Sequence, residues 1–263
     1  MFPYFEIFGV RVAMYGVCSV FGLLACGFCG IILAKRYSVT FERVILLMLA
    51  CGAGMVVGGH LLFAITQYED LFTALSLIGK ADFNEIVNTI IYCFSGMVFY
   101  GGFLGGLLAV AIYSHFDKTM KPINMINIYA VCTPLFHIFG RLGCFCSGCC
   151  YGFESSFGFT AHNNPYVSAV NDVSRFPVPL VEAFCNLLIF LLLLWLWKRK
   201  TCENRLIFVY MLVYPVVRFS LEFLRGDLIR GIWFGLSTSQ WISIVLFIIA
   251  IVGLIKTREK SRS

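Results

Sequence analysis

Four polar or charged side chains recur at helical spacing in the largely apolar stretch YPVVRFSLEFLRGD. Their spacing of i, i+4, i+8 and i+11 predicts one stripe along a helix. A charged side chain deep in a bilayer costs roughly 2.5–3.5 kcal/mol on insertion scales, so the stripe is expected to face the protein interior or a wet cavity. The four residues are Tyr214, Arg218, Glu222 and Arg225.

The charges in this stripe indicate a site for an anionic substrate. Arg218 and Glu222 can partly neutralise each other, which leaves Arg225 for an anion. The planar fork of arginine suits a phosphodiester better than the ammonium of lysine does. The alternative is an ion pair that only fixes helix packing.

A second arginine stands beside a cluster of thiols in GRLGCFCSGCCYG, residues 140–152. Arg141 lies between Gly140 and Gly143, which are expected to allow close backbone approach. His137 precedes it by one helical turn and shares its face, so it is a further candidate for the site. The four thiols are Cys144, Cys146, Cys149 and Cys150.

The chemistry of these thiols has three interpretations. Thiolates bind zinc, copper and iron–sulfur clusters, but a structural site usually recruits a second ligand pair from a distant segment, and none is visible in the sequence. A labile disulfide is the second interpretation, in an oxidising compartment. The third, small side chains packed in an active-site loop, is preferred, so no metal and no cofactor are predicted.

The composition predicts an integral membrane protein. Of 263 residues 60% are hydrophobic and 13% charged, and a soluble protein of this size could not bury so much apolar surface. Seven apolar segments have roughly the 20 residues that cross about 30 Å of hydrocarbon. We therefore expect an all-α polytopic fold of about seven transmembrane helices in a single domain, residues 1–263. The segments lie near 12–34, 43–66, 91–114, 124–144, 178–198, 205–225 and 238–256.

Lysine and arginine predict the orientation. One set of alternate loops, with the C-terminal tail, holds 13 of the 20 basic residues, and the positive-inside rule makes that side cytoplasmic. The N-terminus is then outside and the C-terminus inside, and the net charge of +6 is no argument for nucleic-acid binding. The other basic residues fall on the outer side, where they have a specific role or extend to lipid headgroups. They are Arg11, Lys80, Arg141, Arg175, Arg218, Arg225 and Arg230.

Two outer segments are expected to cap the transmembrane domain. Residues 67–90 include a predicted interfacial helix, and residues 145–177, rich in Gly, Ser, Asn and Pro, are expected to be irregular. Within the spans, glycine pairs with GxxxG spacing predict close helix packing. The overlapping pairs beside Tyr100 would also suit a helix thinned to admit a substrate. The glycine pairs are Gly54/Gly58, Gly101/Gly105 and Gly102/Gly106.

Seven motifs occur in order over most of the chain: MYGV, GGHLLF, YGGFLGG, GRLGCFCSGCCYG, RFPVPLVEA, VVRFSLEFLRGD and LSTSQWISI. They resemble, in the same order, the motifs W-Y-G, G-x-R-L-x-Y, H-G-G-L-x-G, G-R-x-G-N-F-x-N-x-E-x-x-G, H-P-x-Q-L-Y-E, Y-R-F-x-x-E-F-x-R-x-D and L-S-x-x-Q-x-x-S. These are the motifs of the prolipoprotein diacylglyceryl transferases. One such motif would be weak evidence, but seven in order are strong.

The resemblance implies a seven-span enzyme of the bacterial plasma membrane whose active site faces outward. Its partners would be phosphatidylglycerol, the lipobox cysteine of a prolipoprotein signal peptide and the surrounding membrane lipids. Such enzymes transfer a diacylglyceryl group to that thiol, form a thioether and release glycerol phosphate. By resemblance the catalytic residues are Tyr100, Arg141, Arg218 and Glu222. The predicted substrate-binding residues are Tyr15, His137, Cys144, Cys149, Gly152 and Arg225.

Within this set, Arg141 and Arg218 would hold the phosphate, Glu222 would orient Arg218, and Tyr15 and Gly152 would shape the site. The incoming thiol must be deprotonated, because the thiolate is the nucleophile.

This sequence departs from the family motifs at several of those positions. Tyr100 stands where the family has a histidine that is a proposed base, and a phenol with a pKa of about 10 is a poor base unless shifted. Cys144, Ser147 and Cys149 stand where the family has two asparagines and a glutamate, and His60 replaces an arginine.

These departures leave alternatives open. One is a cysteine-rich subtype of the transferase, and another is a paralog that alkylates a different acceptor. A non-enzymatic membrane protein that handles thiols or metal belongs to a second class of function. A purely structural membrane protein would leave the outer arginines unexplained.

Overall fold

The structure is a computed structural model that describes residues 2–7, 9–37, 39–76, 82–202, 204–227 and 232–259. Lys80 and Arg230 lie outside the described residues. The helices are α1 (Met14–Lys35), α2 (Phe41–Thr66), α3 (Tyr68–Ser76), α4 (Phe83–Cys93), α5 (Phe99–Phe116), α6 (Pro122–Ser147), α7 (Val178–Lys198), α8 (Leu206–Glu222) and α9 (Thr238–Glu259). The strands are β1 (Tyr4–Ile7), β2 (Val10–Ala13), β3 (Glu154–Phe159), β4 (Ile232–Trp233) and β5 (Leu236–Ser237).

Most of the described chain is helical, and six of its helices are long and apolar enough to cross a membrane. The protein is therefore a polytopic, mainly helical membrane protein, as the composition predicts. The six helices are α1, α2, α5, α6, α7 and α9. The helix α8 is shorter, with 17 residues.

One predicted span begins in the wrong place. The apolar segment 91–114 is divided, because α4 ends at Cys93 and α5 begins only at Phe99. The helical conformation is interrupted around Gly96, where a Cβ atom would lie 2.6 Å from Cδ2 of Phe63 on α2. After the break, the Val98 amide donates a hydrogen bond to the carbonyl of Gly59. The continuous hydrophobicity of this segment concealed the break.

The two segments predicted to lie on the outer side contain more regular structure than expected. In residues 67–90 the predicted helix is found as α3, whose place at the membrane interface stays a prediction, and α4 begins a second helix at Phe83. Residues 145–177 are largely irregular, as predicted, but they include the last turn of α6, the strand β3 and a 3₁₀ turn at Ser168–Val170. The hairpin of β1 and β2 before α1 was not predicted from the sequence.

Residues 1–36 and 127–263 form one compact unit. In it α8 packs against both α7 and α9. On another face α1 packs against α6, where a Cβ atom at Gly22 would lie 3.0 Å from Cδ2 of Phe136. The thiol of Cys26 also donates a hydrogen bond to the Cys132 carbonyl at 3.3 Å. These helices hold the buried polar groups of the candidate site.

Residues 37–126 form a second compact unit, in which α2 and α5 pack closely through glycine. A Cβ atom at Gly58 would lie 2.9 Å from Cα of Gly105 and would overlap the Gly101 carbonyl oxygen. A Cβ atom at Gly54 would lie 2.7 Å from the Cβ of Ala109. The predicted close packing is confirmed. Three of the glycines beside Tyr100, namely Gly101, Gly102 and Gly105, lie against α2, and their role in admitting a substrate stays a prediction.

The variant Gly58→Ala is expected to destabilise the protein, because the added methyl group must separate α2 from α5. Overpacking of this kind costs typically about 1–3 kcal/mol. Thermal unfolding of the purified protein in detergent would show a lower midpoint than wild type.

Gly52→Ala is the matched control on the same helix, since a Cβ there would meet no atom of the described residues within 4 Å. Alanine favours a helix over glycine by about 0.8–1.0 kcal/mol, so this midpoint should stay equal or rise. Equal destabilisation by both variants would contradict the assigned interface.

Candidate active site

Glu182, a carboxylate only 1% exposed in the second turn of α7, is the centre of the polar site. Its Oε1 lies 3.0 Å from Arg141 Nη2 and accepts a hydrogen bond of 3.0 Å from the Tyr214 hydroxyl. His137 Nε2 lies 3.7 Å from the same oxygen. Three helices, α6, α7 and α8, therefore meet at one carboxylate.

Local sequence explains where this carboxylate stands. The stretch RFPVP starts α7 with proline in its first turn, where the missing N–H would have no helical partner. Glu182 then follows on the buried face, together with Ala183 and Asn186. The Asn186 side chain donates a hydrogen bond of 2.9 Å to the Glu182 carbonyl. The position at which α7 begins thus determines where its Glu182 carboxylate lies alongside α6.

Arg141 and His137 share one face of α6, as their spacing predicts. The Nε of Arg141 donates a hydrogen bond to His137 Nε2 at 3.1 Å. Since this ring nitrogen accepts, the imidazole is neutral and carries its proton on Nδ1. The ring also packs edge-on against Tyr214, with centroids 5.1 Å apart. His137 therefore holds the guanidinium of Arg141 in place.

Arg218 is buried on α8 and forms an ion pair with Glu222, one turn further along the same helix. Its Nη2 lies 2.6 Å from Oε2 of Glu222, and it donates a hydrogen bond of 3.3 Å to the hydroxyl of Ser239 on α9. Its Nη1 is buried and has no hydrogen-bond partner among the residues that the structure describes. The geometry supports the predicted orienting role of Glu222.

Arg225 does not continue the predicted stripe on α8, because that helix ends at Glu222. The guanidinium is not free for an anion as expected, since it forms a two-point pair with Asp227 through Nε at 2.9 Å and Nη2 at 2.5 Å. It nevertheless remains near the other charges, because Glu182 interacts electrostatically with Arg141, Arg218 and Arg225. The predicted arginines converge, but Arg225 reaches the site from a loop.

Gly152 positions that loop through backbone contacts on both sides. Its amide donates a hydrogen bond of 3.0 Å to the Phe176 carbonyl, and it forms a bridge with Arg225. A Cβ atom at Gly152 would lie 2.6 Å from the Phe176 oxygen and 3.0 Å from that of Leu224. Glycine is needed here because two backbones pass too close for any side chain.

Three of the four clustered thiols come together. The Sγ atoms of Cys144, Cys149 and Cys150 all lie within 4.8 Å of one another. The turn that joins them has positive φ at Gly148 (78°) and Cys150 (59°), and the Cys149 amide donates a hydrogen bond of 3.1 Å to the Cys144 carbonyl. Cys146 lies outside this group. The turn therefore collects thiols at the end of α6.

The thiols of the turn have unequal acidity. Hydrogen bonds from Cys144 and Cys149, with the charges of Arg225 and Arg141, hold the pKa of Cys150 well below that of an ordinary thiol. For Cys149, the hydrogen bond with Cys144 lowers the pKa, but the hydrogen bond with Cys150 and burial outweigh it and raise the pKa to about 12. Cys150 is thus the preferred thiolate.

Tyr15, in the first turn of α1, lies against the same end of α6. A Cβ atom at Gly143 would lie 2.9 Å from Tyr15 Cδ2, so the predicted close approach is confirmed at Gly143. At Gly140 the prediction is wrong, since a Cβ there would meet no atom of the described chain within 4 Å. The Tyr15 side chain interacts electrostatically with Arg141 and Cys144 and is 41% exposed.

Tyr100 on α5 and His60 on α2 belong to the second unit, and their places in a site remain predictions. Of the basic residues predicted to lie on the outer side, Arg11 pairs with the exposed Glu6 on the hairpin at 3.0 Å. Arg175 lies 3.3 Å from Glu154 and over the ring of Tyr151. These two arginines pair with exposed carboxylates rather than with the buried cluster.

Glu182 is not among the site residues predicted from the sequence. A signal was present, since it is the one carboxylate in the apolar segment 178–198 and stands in the motif RFPVPLVEA. A lone carboxylate at that depth needs a cationic partner, and the cation nearest to it in the motif, Arg175, pairs with Glu154 instead. Only the packing of α6 against α7 shows that the partner is Arg141.

The family motifs are found over the entire helical chain. A family model described as prolipoprotein diacylglyceryl transferase matches residues 3–256. The chain belongs to this family. It is therefore a membrane-bound transferase of lipoprotein maturation.

Relatives from several bacteria carry the same description. A phosphatidylglycerol–prolipoprotein diacylglyceryl transferase of Clostridium tetani is 30% identical, with 94% of each chain covered. The second such enzyme of Clostridium perfringens is 29% identical, over 92% of this chain and 90% of its own. That of Campylobacter hominis is 27% identical, over 98% and 91%. The similarity therefore includes both compact units.

Replacing Glu182 by glutamine is expected to destabilise the protein, because it leaves the Arg141 charge buried without its counter-ion. Breaking a buried ion pair from one side costs about 3–5 kcal/mol, so the thermal midpoint in detergent should fall clearly.

The control is Glu154→Gln, whose side chain is 71% exposed in its pair with Arg175. Exposed pairs contribute about 0–1 kcal/mol. A Glu182 variant as stable as this control would show that Glu182 does not anchor the site.

Proposed function

We propose that the protein transfers the diacylglyceryl group of phosphatidylglycerol to the lipobox cysteine thiol of a prolipoprotein, with the donor phosphate held at Arg218 and Arg141. One observation carries the placement: Arg218 presents a buried Nη1 donor without a hydrogen-bond partner in the described chain. A phosphate oxygen is a suitable acceptor for it, since arginine–phosphate hydrogen bonds are charge-assisted and directional. The names of the relatives supply the two substrates.

The reaction replaces a C–O bond by a C–S bond at one glyceryl carbon. The thiolate attacks the glyceryl carbon that carries the phosphate ester, and a C–S bond forms as the C–O bond breaks. Glycerol phosphate leaves with the bonding electron pair, and the proton released by the thiol balances the charge of the leaving phosphate. Thiolate formation is required, because the neutral thiol is a poor nucleophile.

The charge change at phosphate explains the need for several arginines. The donor is a phosphodiester with one negative charge, while the leaving monoester develops a second. Preorganised cations stabilise this growing charge most strongly in the transition state. Arg141 is already oriented by His137 and Glu182, and Arg218 by Glu222. They therefore need little rearrangement at the moment of transfer.

The roles proposed for the remaining residues rest on different observations. Arg225 and the thiols of Cys144 and Cys149 lie within the same charged environment as Arg141, which fits a role in substrate binding. Tyr15 lies at the exposed edge of this group, where it would contact the entering substrate. The catalytic role of Tyr100 rests on its position in the YGGFLGG motif alone.

Arg218→Ala is expected to abolish diacylglyceryl transfer, and Arg218→Lys to lower its rate by about a hundredfold, because lysine lacks the planar fork. The assay uses protein reconstituted in phosphatidylglycerol liposomes with a lipobox peptide, and the mass of the peptide reports the added diacylglyceryl group.

Arg205→Lys is the matched control at the other end of α8, where the arginine donates a hydrogen bond of 2.8 Å to the Thr257 carbonyl. It should keep nearly full activity. Transfer by the Arg218→Ala variant at the wild-type rate would contradict the proposed phosphate site.

We further propose that α8 is a seventh span, with the N-terminus outside, the C-terminus in the cytoplasm and the arginine site facing outward from the plasma membrane. At 1.5 Å per residue its 17 residues extend about 26 Å, close to the thickness of the hydrocarbon core. The distribution of basic residues supports this orientation. Residues 67–90 and 145–177 would then cap a single transmembrane domain on its outer side.

Cys202, in the loop between α7 and α8, tests this orientation. A membrane-impermeant maleimide should label it in inverted membrane vesicles and not in intact spheroplasts, because the loop would face the cytoplasm. Cys202→Ser in parallel identifies the signal that belongs to this thiol. Labelling of Cys202 in spheroplasts would reverse the assigned topology.

A further inference from the structure

We propose that Cys144, Cys149 and Cys150 bind one thiophilic metal ion, Zn²⁺ or Cu⁺, beside the arginine site. The three Sγ atoms lie within 4.8 Å of one another. Thiolate ligands select these soft ions over the harder Mg²⁺ and Ca²⁺. The site goes beyond the transfer reaction proposed above, which needs no metal.

The spacing of the sulfur atoms fits a single ion. A metal–sulfur bond of about 2.3 Å places the ligands of one ion about 3.8–4.0 Å apart in tetrahedral or trigonal geometry. Sulfur atoms already within 4.8 Å reach these separations by moving less than about 1 Å. Side-chain rotation alone supplies movements of this size.

The backbone holds this arrangement in place. Cys144 stands in the last turn of α6, and Cys149 and Cys150 follow after Gly148. Positive φ angles at Gly148 and Cys150 reverse the chain, and the Cys149 amide is bonded to the Cys144 carbonyl. A non-glycine residue in the left-handed region costs free energy. Here the conformation of Cys150 brings its thiol towards the other two.

Two nearby arginines compensate the net negative charge of the metal–thiolate group. Three thiolates with Zn²⁺ carry a net charge of −1, and with Cu⁺ a net charge of −2. Arg141 and Arg225 both interact electrostatically with Cys150, so they balance an anionic metal–thiolate group in a partly buried place. A fourth coordination position remains open for water or another thiol, as it does in zinc sites with three protein ligands.

Cys146 provides a matched control from the same stretch of sequence. It lies outside the three-sulfur group and instead interacts electrostatically with Cys18 of α1. The variant Cys146→Ser removes one thiol from the loop and leaves the three proposed ligands intact. A non-specific affinity for clustered thiols would weaken equally in Cys146→Ser, Cys149→Ser and Cys150→Ser.

The full-length protein, purified in detergent without oxygen and stripped with a chelator, is loaded separately with Zn²⁺ and with Cu⁺. Mass spectrometry of the metal should find one tightly bound ion per chain with one of the two. Loss of an outer hydrogen-bond partner already weakens metal sites about 10–100-fold. Cys149→Ser and Cys150→Ser should weaken binding at least as much, and Cys146→Ser should leave it unchanged.

Cobalt substitution gives a second readout on the wild-type protein, so the test does not depend on how the serine variants fold. Co²⁺ bound by three thiolates should show intense sulfur-to-cobalt charge-transfer absorption. Absence of these bands in a protein that also fails to retain Cu⁺, or metal binding equal in Cys146→Ser and Cys150→Ser, would overturn the proposal. A disulfide between two of the three cysteines in anaerobically purified protein would do the same. None of these readouts depends on lipid transfer.

Discussion

The ion pair between Arg141 and Glu182 is the contact on which the other polar groups depend. Both side chains are buried, and neither charge could remain there alone without a cost of several kcal/mol. Because Glu182 also accepts the Tyr214 hydroxyl bond, the same carboxylate sets the position of α8 relative to α6 and α7. Helix packing and the chemistry of the site thus share one constraint.

The three arginines near this carboxylate are already paired, with Glu182, Glu222 and Asp227. The pairing allows positive charge to be buried in a membrane protein before any substrate arrives. In the proposed function, an anionic donor would meet guanidinium groups that are oriented but partly neutralised. The second negative charge of the leaving phosphate would then increase the attraction during the reaction, which favours the transition state over the ground state.

The thiols change what surrounds Arg141. Where the family motif has amide and carboxylate groups, this chain has Cys144 and Cys149, and a third thiol, Cys150, joins them. An amide donates and accepts hydrogen bonds, and a carboxylate accepts them. A thiol is weak in both roles and binds strongly only as a thiolate, above all to soft metals. The substitution therefore keeps a polar loop beside the arginines but gives it a different ligand preference.

The sequence by itself determined the membrane class, most of the helices, the family and the arginines, because hydrophobic length, helical spacing and motif order are local properties of the chain. It could not determine the break before Phe99, the end of α8 at Glu222, the Arg225 pair with Asp227 or the partner of Arg141, Glu182. These were decided only by tertiary structure, since they arise where backbones meet at glycines and where buried charges far apart in sequence must neutralise each other.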